Sequence, residues 1–282
     1  MGATVAELLD GAIAAARAGG AVLVEGLQRP KQVERKSERA SIVTWADVTA
    51  QAAIIDVITA RFPGHAILAE EDRAEAGDDY APPTTATWLI DPLDGTTNYA
   101  HGVPFACTSV AVRDADGVAA GVIFDPFRGE LFTAARGEGA WLGDDRLAVS
   151  TVDSPAGALV CTGVQSDDPA AIAGFGRRIV ALSQHCRGVR CVGSPALCLA
   201  YVAAGRVDAF LERDATYAWD VGAGALLISE AGGQIEDLDG GPVNLGPGLA
   251  NVLASNGRVQ AALAEIVRAA ERSDGSAGWV DR

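Results

Sequence analysis

The chain has 282 residues, of which 49% are hydrophobic, and it carries 37 Asp and Glu against 22 Lys and Arg. This apolar fraction excludes a disordered chain, and the length suffices for one large domain or two modest ones. The net charge of −15 would repel a phosphodiester backbone, so we expect no nucleic-acid partner. Small anionic substrates remain compatible with this charge, because metals or helix ends can supply local positive charge.

Helices and strands alternate in the N-terminal part of the chain. Apolar residues recur with helical spacing over residues 4–26 and again over residues 44–61. Short apolar runs at residues 66–69 and 87–90 predict two strands, and acidic residues follow each of them. The acidic, Pro- and Ala-rich stretch 72–85 between these strands is typical of a surface loop.

The remainder of the chain shows two different patterns of predicted secondary structure. Turn signals separate short alternating segments that predict an antiparallel sheet over residues 108–112, 118–124, 130–135 and 140–142. Beyond residue 150, strands and helices alternate, which is typical of an α/β arrangement. The predicted elements there are strands 159–162 and 188–192 and helices 170–185, 195–204 and 219–231. We therefore expect one domain over residues 1–282, with subdomains of about 1–150 and 151–272 that share one site. The tail, residues 273–282, is predicted to be disordered.

The cysteines and the apolar segments indicate a cellular compartment. The five thiols are odd in number and contain no C-x-x-C pair, so they predict buried free cysteines and no zinc site. Charged residues interrupt the N-terminal apolar stretch, and no run of 18 uncharged apolar residues occurs, so neither a signal peptide nor a membrane span is predicted. We expect a soluble cytoplasmic protein without a membrane partner.

The segment Trp88-Leu89-Ile90-Asp91-Pro92-Leu93-Asp94-Gly95-Thr96-Thr97-Asn98 carries the most chemical information. Pro92 favours an extended conformation at Asp91, so the strand is predicted to end there. Asp94 follows three residues later, which allows both carboxylates to face one point. Gly95 permits close approach of a ligand, and Thr96 is predicted to cap a following helix. A phosphate at this helix start would be repelled by the carboxylates unless hard cations such as Mg²⁺ lay between them.

An Asp-rich surface turn is the simpler interpretation of this segment, because Asp-Pro and Asp-Gly are common turn pairs. Two further acidic positions argue against it. Glu70 and Glu71 end a separate apolar run, and Asp220 follows Trp219 at the predicted start of a helix. Three acidic ends around one such turn favour a site over a solvated surface.

With these motifs the chain resembles the inositol monophosphatase family, within the wider superfamily of Mg²⁺-dependent, Li⁺-sensitive sugar phosphatases. The resemblance spans nearly the whole chain. It rests on Glu70-Glu71 and on the segment from Asp91 to Asn98. It also rests on Trp219-Asp220-Val221-Gly222-Ala223-Gly224-Ala225, on Ser229-Glu230-Ala231-Gly232-Gly233 and on Gly193-Ser194-Pro195-Ala196. It implies a layered αβαβα fold, with an N-terminal antiparallel-sheet subdomain and a C-terminal α/β subdomain.

The resemblance also implies a set of metal ligands. Glu70, Asp91 and the backbone carbonyl of Leu93 would hold one Mg²⁺. Asp91, Asp94 and Asp220 would hold a second ion, with Asp91 bridging the two. Glu70 would also position a third, weaker ion, which gives two or three Mg²⁺ per site.

Catalytic and substrate contacts are implied in the same way. Thr96, supported by Asp47, would orient the attacking water for direct transfer of the phosphoryl group to water, with Glu70 as a further catalytic residue. The backbone N–H groups of Gly95 and Thr96 would hold the phosphate. The implied substrate-binding residues are Asp94, Gly95, Thr96, Gly193, Ala196, Glu212 and Asp220.

The sequence departs from the family pattern near Glu212. This residue lies eight positions before Asp220 where the family has seven, and Tyr217 stands where animal enzymes carry His. The extra residue would lie in a loop, 212–218, that contacts the hydroxyl groups of the substrate, so substrate identity stays open. Glu212 is the first candidate to bind those hydroxyls; the alternatives are Asp214 as the ligand, or plain solvent exposure of Glu212. The nearby basic pair Arg177-Arg178 is interpreted as part of a solvated helix face.

The resemblance implies a Mg²⁺-dependent phosphomonoesterase, and inositol monophosphate is the first candidate substrate. Histidinol phosphate, fructose 1,6-bisphosphate and 3′-phosphoadenosine-5′-phosphate are alternatives from the same superfamily. A regulatory protein that keeps the fold without turnover is an alternative of another class. Homodimers are common in the family, so we expect a homodimer.

Overall fold

The site depends on helices and sheets that lie within the described part of the chain. In a computed structural model, the structure describes residues 2–27, 29, 33–37, 42–72, 86–246 and 248–272. Most of the predicted surface loop, residues 73–85, and the predicted disordered tail, residues 273–282, lie outside these ranges.

Seven α-helices occur among the described residues. They are α1 (Val5–Gly26), α2 (Trp45–Arg61), α3 (Thr96–Ala100), α4 (Pro169–His185), α5 (Pro195–Ala203), α6 (Ala218–Glu230) and α7 (Gln260–Arg272). Side chains define where the first two begin: Thr4 with Glu7, and Thr44 with Asp47, form capping boxes that satisfy free N–H groups of the first turn. The helices predicted from periodicity are therefore confirmed to within one residue at the start of α1 and α2.

A seven-stranded sheet spans the middle of the N-terminal half. Its strands, in spatial order, are β3 (Ala66–Ala69), β4 (Thr87–Asp94), β5 (Cys107–Asp114), β6 (Gly117–Asp125), β7 (Glu130–Ala135), β8 (Gly139–Leu142) and β9 (Asp145–Arg146). The β3–β4 pair is parallel, and every later pair is antiparallel. The predicted antiparallel sheet is thus confirmed, with a parallel strand added at one edge.

The second half contains a mixed five-stranded sheet. Its spatial order is β11 (Gly188–Arg190), β10 (Leu159–Thr162), β12 (Ala209–Thr216), β14 (Ala250–Ser255) and β13 (Gln234–Glu236). Only β11, β10 and β12 run parallel. A separate two-stranded ribbon joins β1 (Val33–Arg35) to β2 (Ile42–Thr44). The sequence did not predict β1, β2, β9, β12, β13 or β14, nor helix α7.

Successive side chains of β4 point to opposite faces of the large sheet, and their contacts show how the layers are stacked. Trp88 and Ile90 pack with α1 and α2 on one face of the large sheet, whereas Leu89 packs with α5 and α6 on the other. The opposite side of α5 and α6 contacts Phe210 and Val252 of the five-stranded sheet. That sheet's outer face packs against α4 and α7 through Leu182 and other apolar residues. The layers therefore run helices, sheet, helices, sheet, helices, which confirms the αβαβα prediction.

Two further expectations concern the cysteines and the membrane. All five cysteines are free; Cys107, Cys161 and Cys198 are buried as predicted, whereas Cys186 is half-buried and Cys191 is exposed. Among the described residues, no helix has the length and apolar character needed to cross a bilayer.

Candidate metal centre and active site

The first two acidic residues of the site meet because two parallel strands end together. Ala69 of β3 pairs with Ile90 of β4, so the next residues, Glu70 and Asp91, stand side by side at the same sheet edge. The Glu70 N–H still donates to the Ile90 carbonyl oxygen at 3.1 Å. The strand pairing thus brings together two acidic residues that lie 21 positions apart in the sequence.

A bulge in β4 brings Asp94 to the same side as Asp91. The strand continues through Pro92 to Asp94, so the prediction that it ends at Asp91 was wrong. Between its pairings with Ser109 and Cys107 of β5, β4 advances three residues while β5 advances two. Residues three apart in a regular strand face opposite sides, and the extra residue reverses that phase. Pro92 is tolerated because the bulge removes a ladder hydrogen bond at this point.

Asp220 reaches the same place from the first turn of α6. Its Oδ2 accepts a hydrogen bond from the Tyr217 N–H at 2.6 Å, which closes the helix N-terminus. The helix approaches the large sheet closely, because a Cβ atom on Gly222 would lie 2.7 Å from Leu89 Cδ1. The Ser109 hydroxyl also donates to the Trp219 carbonyl at 3.0 Å. The start of α6 is thereby fixed beside β4 and β5.

Asp91, Asp94 and Asp220 form a compact buried cluster. Each offers a carboxylate oxygen within 4.8 Å of the other two, and their exposed fractions are only 2%, 5% and 8%. Among the described residues, none of the three is ion-paired with Lys or Arg. Burial, followed by mutual repulsion, raises the pKa of Asp91 and of Asp220 well above the ordinary range. Burial likewise raises the pKa of Asp94 to about 6.

Asp94 is held from the second half of the chain by Ser194. The Ser194 hydroxyl donates to Asp94 Oδ2 at 2.5 Å, and the Ala196 N–H donates to the same oxygen at 2.7 Å. The Cys107 thiol lies 3.8 Å from that oxygen. No role for Ser194 was predicted from the sequence. Its position directly before Pro195 at the start of α5 was the available signal, since Ser is common there.

Glu70 lies outside the compact cluster and contacts a lysine. Its Oε1 is 3.2 Å from Lys36 Nζ, which also lies 2.7 Å from Glu71 Oε1. Burial raises the pKa of Glu70 to about 7, although the charge of Lys36 opposes that rise. Glu70 also repels the charges on Asp91 and Asp220, so it belongs to the same electrostatic site.

Thr96 and Asp47 are brought together as the resemblance implied. The Thr96 hydroxyl lies 2.9 Å from Asp47 Oδ1 and 3.0 Å from the Leu93 carbonyl oxygen, and its single proton can be donated to either. Thr96 does not cap α3, contrary to the prediction. The N-cap residue is Gly95, whose φ of +96° is in the left-handed range that glycine tolerates. Thr96 is therefore the first residue of the helix itself.

A cavity of about 1110 Å³ opens above these residues. Glu70, Asp91, Asp94, Thr96 and Asp220 lie along it, together with Gly95, Gly193 and Glu212 from the predicted substrate-binding set. Ala196 does not line the cavity; it is fully buried and gives its N–H to Asp94. Asn98 connects the two halves of the wall, because its Nδ2 donates to the Phe105 carbonyl at 2.8 Å and to the Val192 carbonyl at 2.6 Å.

Glu212 lies in a strand and not in the expected loop. It pairs with Val252 of β14 inside β12, and only 6% of its surface is exposed. Between the pairs Glu212–Val252 and Thr216–Ala250, β12 advances four residues while β14 advances two. Asp214 lies in this irregular part with a left-handed φ of +56°. The residues that follow Glu212 thus lie in an irregular part of β12, which corrects the prediction that Glu212 lies in a loop.

The composition of this cluster is suited to a hard divalent cation. All ligand atoms on offer are oxygens, which Mg²⁺ and Ca²⁺ prefer over nitrogen or sulfur. None of the three buried carboxyl groups has a cationic partner among the described residues. Without a bound cation they repel one another, and their pKa values are raised. A bound cation would relieve that repulsion. The residues present therefore fit a metal centre.

Comparison with known proteins gives one consistent family. The sequence pattern of the inositol monophosphatase family matches residues 4–272. A protein of Pasteurella multocida named Nus factor SuhB is 40% identical over 83% of this chain and 86% of its own. The structure of the extragenic suppressor protein suhB from Bartonella henselae superposes with a TM-score of 0.82 at 34% identity, covering 92% of this chain and 97% of that one. An inositol monophosphatase from Anabaena (Nostoc) sp. PCC 7120 superposes with a TM-score of 0.80 at 37% identity, covering 93% of this chain and 95% of that one. The chain is a member of the inositol monophosphatase family, a family of phosphatases that act on phosphate monoesters.

Proposed function

We propose that this protein hydrolyses a small polyol phosphate monoester with Mg²⁺, and that inositol monophosphate is its preferred substrate class. The observation that carries the proposal is the cluster of Asp91, Asp94 and Asp220 beside a cavity that also exposes Glu212. The cluster is suited to cations that attract a phosphate, and Glu212 offers a polar group for hydroxyls at the same cavity.

The proposed ligand assignment follows the family pattern. Glu70, Asp91 and the Leu93 carbonyl would hold one Mg²⁺, and Asp91, Asp94 and Asp220 a second. When bound, Mg²⁺ would supply Lewis-acid stabilisation of the phosphate and lower the pKa of a coordinated water. The burial of these side chains supports the assignment, because interactions with charge are stronger away from bulk water.

The chain's own residues would orient the reaction. With its proton donated to Asp47 or to the Leu93 carbonyl, the Thr96 oxygen has lone pairs free to accept a hydrogen bond from the attacking water. The N–H groups of Gly95 and Thr96, at the start of α3, would donate to the phosphate oxygens. Helix α3 is a single turn, so most of the attraction for the phosphate would come from the cations and little from a helix dipole.

Glu212 would recognise the alcohol part of the substrate. It is buried and lines the cavity, and burial together with repulsion from Asp94 raises its pKa to about 8. Histidinol phosphate is the alternative that this carboxyl group also suits, because an amine could pair with it. Bisphosphates would require basic residues near the second phosphate. Among the described residues that line the cavity, Lys36 is the single basic one.

A regulatory role without turnover is the second candidate. The Pasteurella relative, at 40% identity, is named Nus factor SuhB, and this name is the observation that favours the second candidate. Against an inactive site stands the geometry, in which Thr96 keeps its bond to Asp47 and the three buried aspartates remain close together.

We also propose a homodimer, on the family resemblance alone; sedimentation of the purified protein tests it.

A substrate panel tests the proposed function. Mg²⁺-dependent phosphate release would be measured with inositol 1-phosphate, histidinol phosphate, fructose 1,6-bisphosphate and 3′-phosphoadenosine-5′-phosphate. We expect the highest kcat/KM for inositol 1-phosphate. Preference for histidinol phosphate would keep the metal centre and reassign Glu212 to amine recognition. If the protein binds Mg²⁺ but releases phosphate from none of these compounds, the proposed enzymatic function is contradicted and the regulatory role is favoured.

A further inference from the structure

Glu212 stands beside a glycine from the neighbouring strand. Thr162, the last residue of β10, pairs with Leu211 of β12 in parallel register, so the next residues along the two strands are Gly163 and Glu212. Both residues line the cavity. The pairing therefore sets an uncharged residue without a side chain next to the carboxyl group that would bind the substrate's hydroxyls.

The space taken by the Glu212 carboxyl group exists only because residue 163 is glycine. A Cβ atom on Gly163 would overlap Glu212 Oε1 and lie 3.3 Å from Glu212 Cδ, and it would meet no other described atom within 4 Å. Real Cβ atoms are not found this close to another heavy atom, so something would have to move. The part that moves is the end of a flexible side chain and not the backbone.

The conformation of Gly163 does not itself require glycine. Its φ lies outside the left-handed range, in contrast to Gly95 and Gly193 in the same cavity wall. Replacement by alanine would therefore leave the strand end unstrained. The reason for glycine at this position is the space that it leaves for Glu212.

A buried arginine adds an electrostatic constraint on the same carboxyl group. Only 4% of Arg178 is exposed, so its prediction as part of a solvated face was wrong. Its Nη1 lies 3.3 Å from Glu271 Oε1, and Glu271 is also held by Arg213, the residue after Glu212. The positive charge of Arg178 lowers the pKa of Glu212 and so opposes part of the rise that burial causes. Glu212 therefore experiences attraction from Arg178 as well as repulsion from Asp94.

We propose that Gly163 is a specificity-determining residue, because it leaves the space in which the Glu212 carboxyl group meets the hydroxyl groups of a polyol phosphate. A larger residue would displace that group and weaken polyol recognition, while the phosphate site at Asp91, Asp94 and Asp220 would be untouched. This inference rests on the proposed function, since it takes Glu212 as the hydroxyl ligand.

The test compares Gly163→Ala with Gly176→Ala, using two substrates. Gly176 lies on α4, where an added Cβ meets no described atom within 4 Å, so it controls for the gain of a methyl group. For inositol 1-phosphate we expect Gly163→Ala to raise KM by about ten-fold, the effect of losing one hydrogen bond to a charged or polar partner. For 4-nitrophenyl phosphate, which has no polyol hydroxyls, we expect kcat/KM within about two-fold of wild type.

A double-mutant cycle identifies the residue through which Gly163 acts. In a Glu212→Ala background the added methyl group meets nothing, so Gly163→Ala should change KM for inositol 1-phosphate by less than about two-fold. If Gly163→Ala alone fails to fold, the double variant should fold, because the clash has been removed. A double variant that also fails to fold would overturn the inference.

Two results separate the inference from the proposed function. If wild type hydrolyses inositol 1-phosphate and Gly163→Ala leaves its KM unchanged, or impairs both substrates equally, the role of Gly163 is overturned and the proposed function stands. If wild type hydrolyses 4-nitrophenyl phosphate but no polyol phosphate, both the proposed function and the role of Gly163 fall.

Discussion

The Thr96 hydroxyl lies 2.9 Å from Asp47 Oδ1, within hydrogen-bond distance of a residue 49 positions earlier in the sequence. The other carboxylate oxygen of Asp47 accepts from the Thr44 N–H at 2.7 Å and from its hydroxyl at 2.6 Å, which completes the capping box of α2. One carboxylate therefore closes a helix and holds a residue of the proposed active site. A shift of the start of α2 would lengthen or break the contact between Asp47 and Thr96.

Replacing Thr96 by valine tests the proposed role of its hydroxyl. Valine keeps the shape of the side chain but cannot bond to Asp47 or to water. We expect kcat to fall by about 10²-fold or more, the usual contribution of a positioned proton-transfer group, with KM nearly unchanged. Steady-state kinetics with inositol 1-phosphate measures both.

Two controls accompany this variant. Thr96→Ser keeps the hydroxyl and should retain most of the activity, whereas Thr59→Val makes the same change on the exposed side of α2, where Thr59 bonds to the Ile55 carbonyl. Near-wild-type kcat in Thr96→Val, or a loss in Thr96→Ser as large as that in Thr96→Val, would contradict a role that depends on the hydroxyl alone.

Ser194→Ala should weaken metal binding without touching a proposed ligand atom. The variant removes the 2.5 Å hydrogen bond to Asp94 Oδ2, and loss of a partner that orients a metal ligand typically costs about 10-fold or more in affinity. Isothermal titration of the metal-free protein with Mg²⁺ measures the change. Ser229→Ala, which removes an exposed bond to the Ala225 carbonyl, serves as the control. Equal Mg²⁺ affinity in Ser194→Ala and wild type would contradict the supporting role of Ser194.

Glu212 should make the metal-free protein less stable as the pH rises. Its pKa is about 8 in the folded protein against 4.5 ordinarily, because it is buried and lies near Asp94. A carboxyl group with a raised folded pKa contributes stability that is fully present below the unfolded value and is lost as the pH rises through the folded value. We therefore expect the Tm of wild type in EDTA to fall between about pH 4.5 and pH 8.

Glu212→Gln isolates this contribution from those of the other buried carboxyl groups. Glutamine does not titrate, so the Tm of the variant should decline less over the same range and exceed that of wild type at about pH 8. Thermal denaturation followed by circular dichroism gives both curves. Parallel curves for the two proteins would mean that Glu212 does not have the raised pKa.

Asp220→Asn should stabilise the metal-free protein while it weakens Mg²⁺ binding. The change replaces one of three buried, mutually repelling acidic groups by a neutral amide, and the Asn carbonyl can still accept from the Tyr217 N–H that closes α6. We expect a Tm higher than that of wild type by at least about 2 °C in EDTA, and little further rise when Mg²⁺ is added.

The exposed Asp56→Asn on α2 is the matched control for that variant, since it removes one negative charge far from the cluster. It should leave the Tm in EDTA near the wild-type value and keep the stabilisation by Mg²⁺. A lower Tm for Asp220→Asn in EDTA would show that the carboxylate stabilises the fold through contacts other than those described.

The sequence predicted the acidic cluster better than it predicted how the cluster is built. The spacing of Asp91 and Asp94 suggested that both face one point, but through a turn at Pro92; the chain instead continues as a strand and uses a bulge. Single-sequence patterns do not reveal bulges, because the added residue shows only against the partner strand. The same limit explains Glu212, which was placed in a loop and lies in β12 directly before an irregularity in the pairing with β14.

Contacts between distant segments were the part that the sequence could not predict. Ser194 lies 100 positions from Asp94, and Gly163 acquires its significance only beside Glu212 on the adjacent strand. Arg178 was interpreted as solvent-exposed because it belongs to a basic pair with Arg177 in a predicted helix, yet it is buried against Glu271 of α7. The subdomain boundary near residue 150 and the roles of the individual site residues stay predictions.

The central claim is that buried carboxylates hold Mg²⁺ for hydrolysis of a phosphate monoester. The most direct measurement is phosphate release from inositol 1-phosphate by metal-stripped wild type and Asp91→Asn, with Mg²⁺ titrated into each. We predict no release by wild type until Mg²⁺ is added, and a kcat lower by at least ~10³-fold in Asp91→Asn at saturating Mg²⁺. Near-wild-type turnover by Asp91→Asn, or full turnover in EDTA, would contradict the assignment of the metal centre.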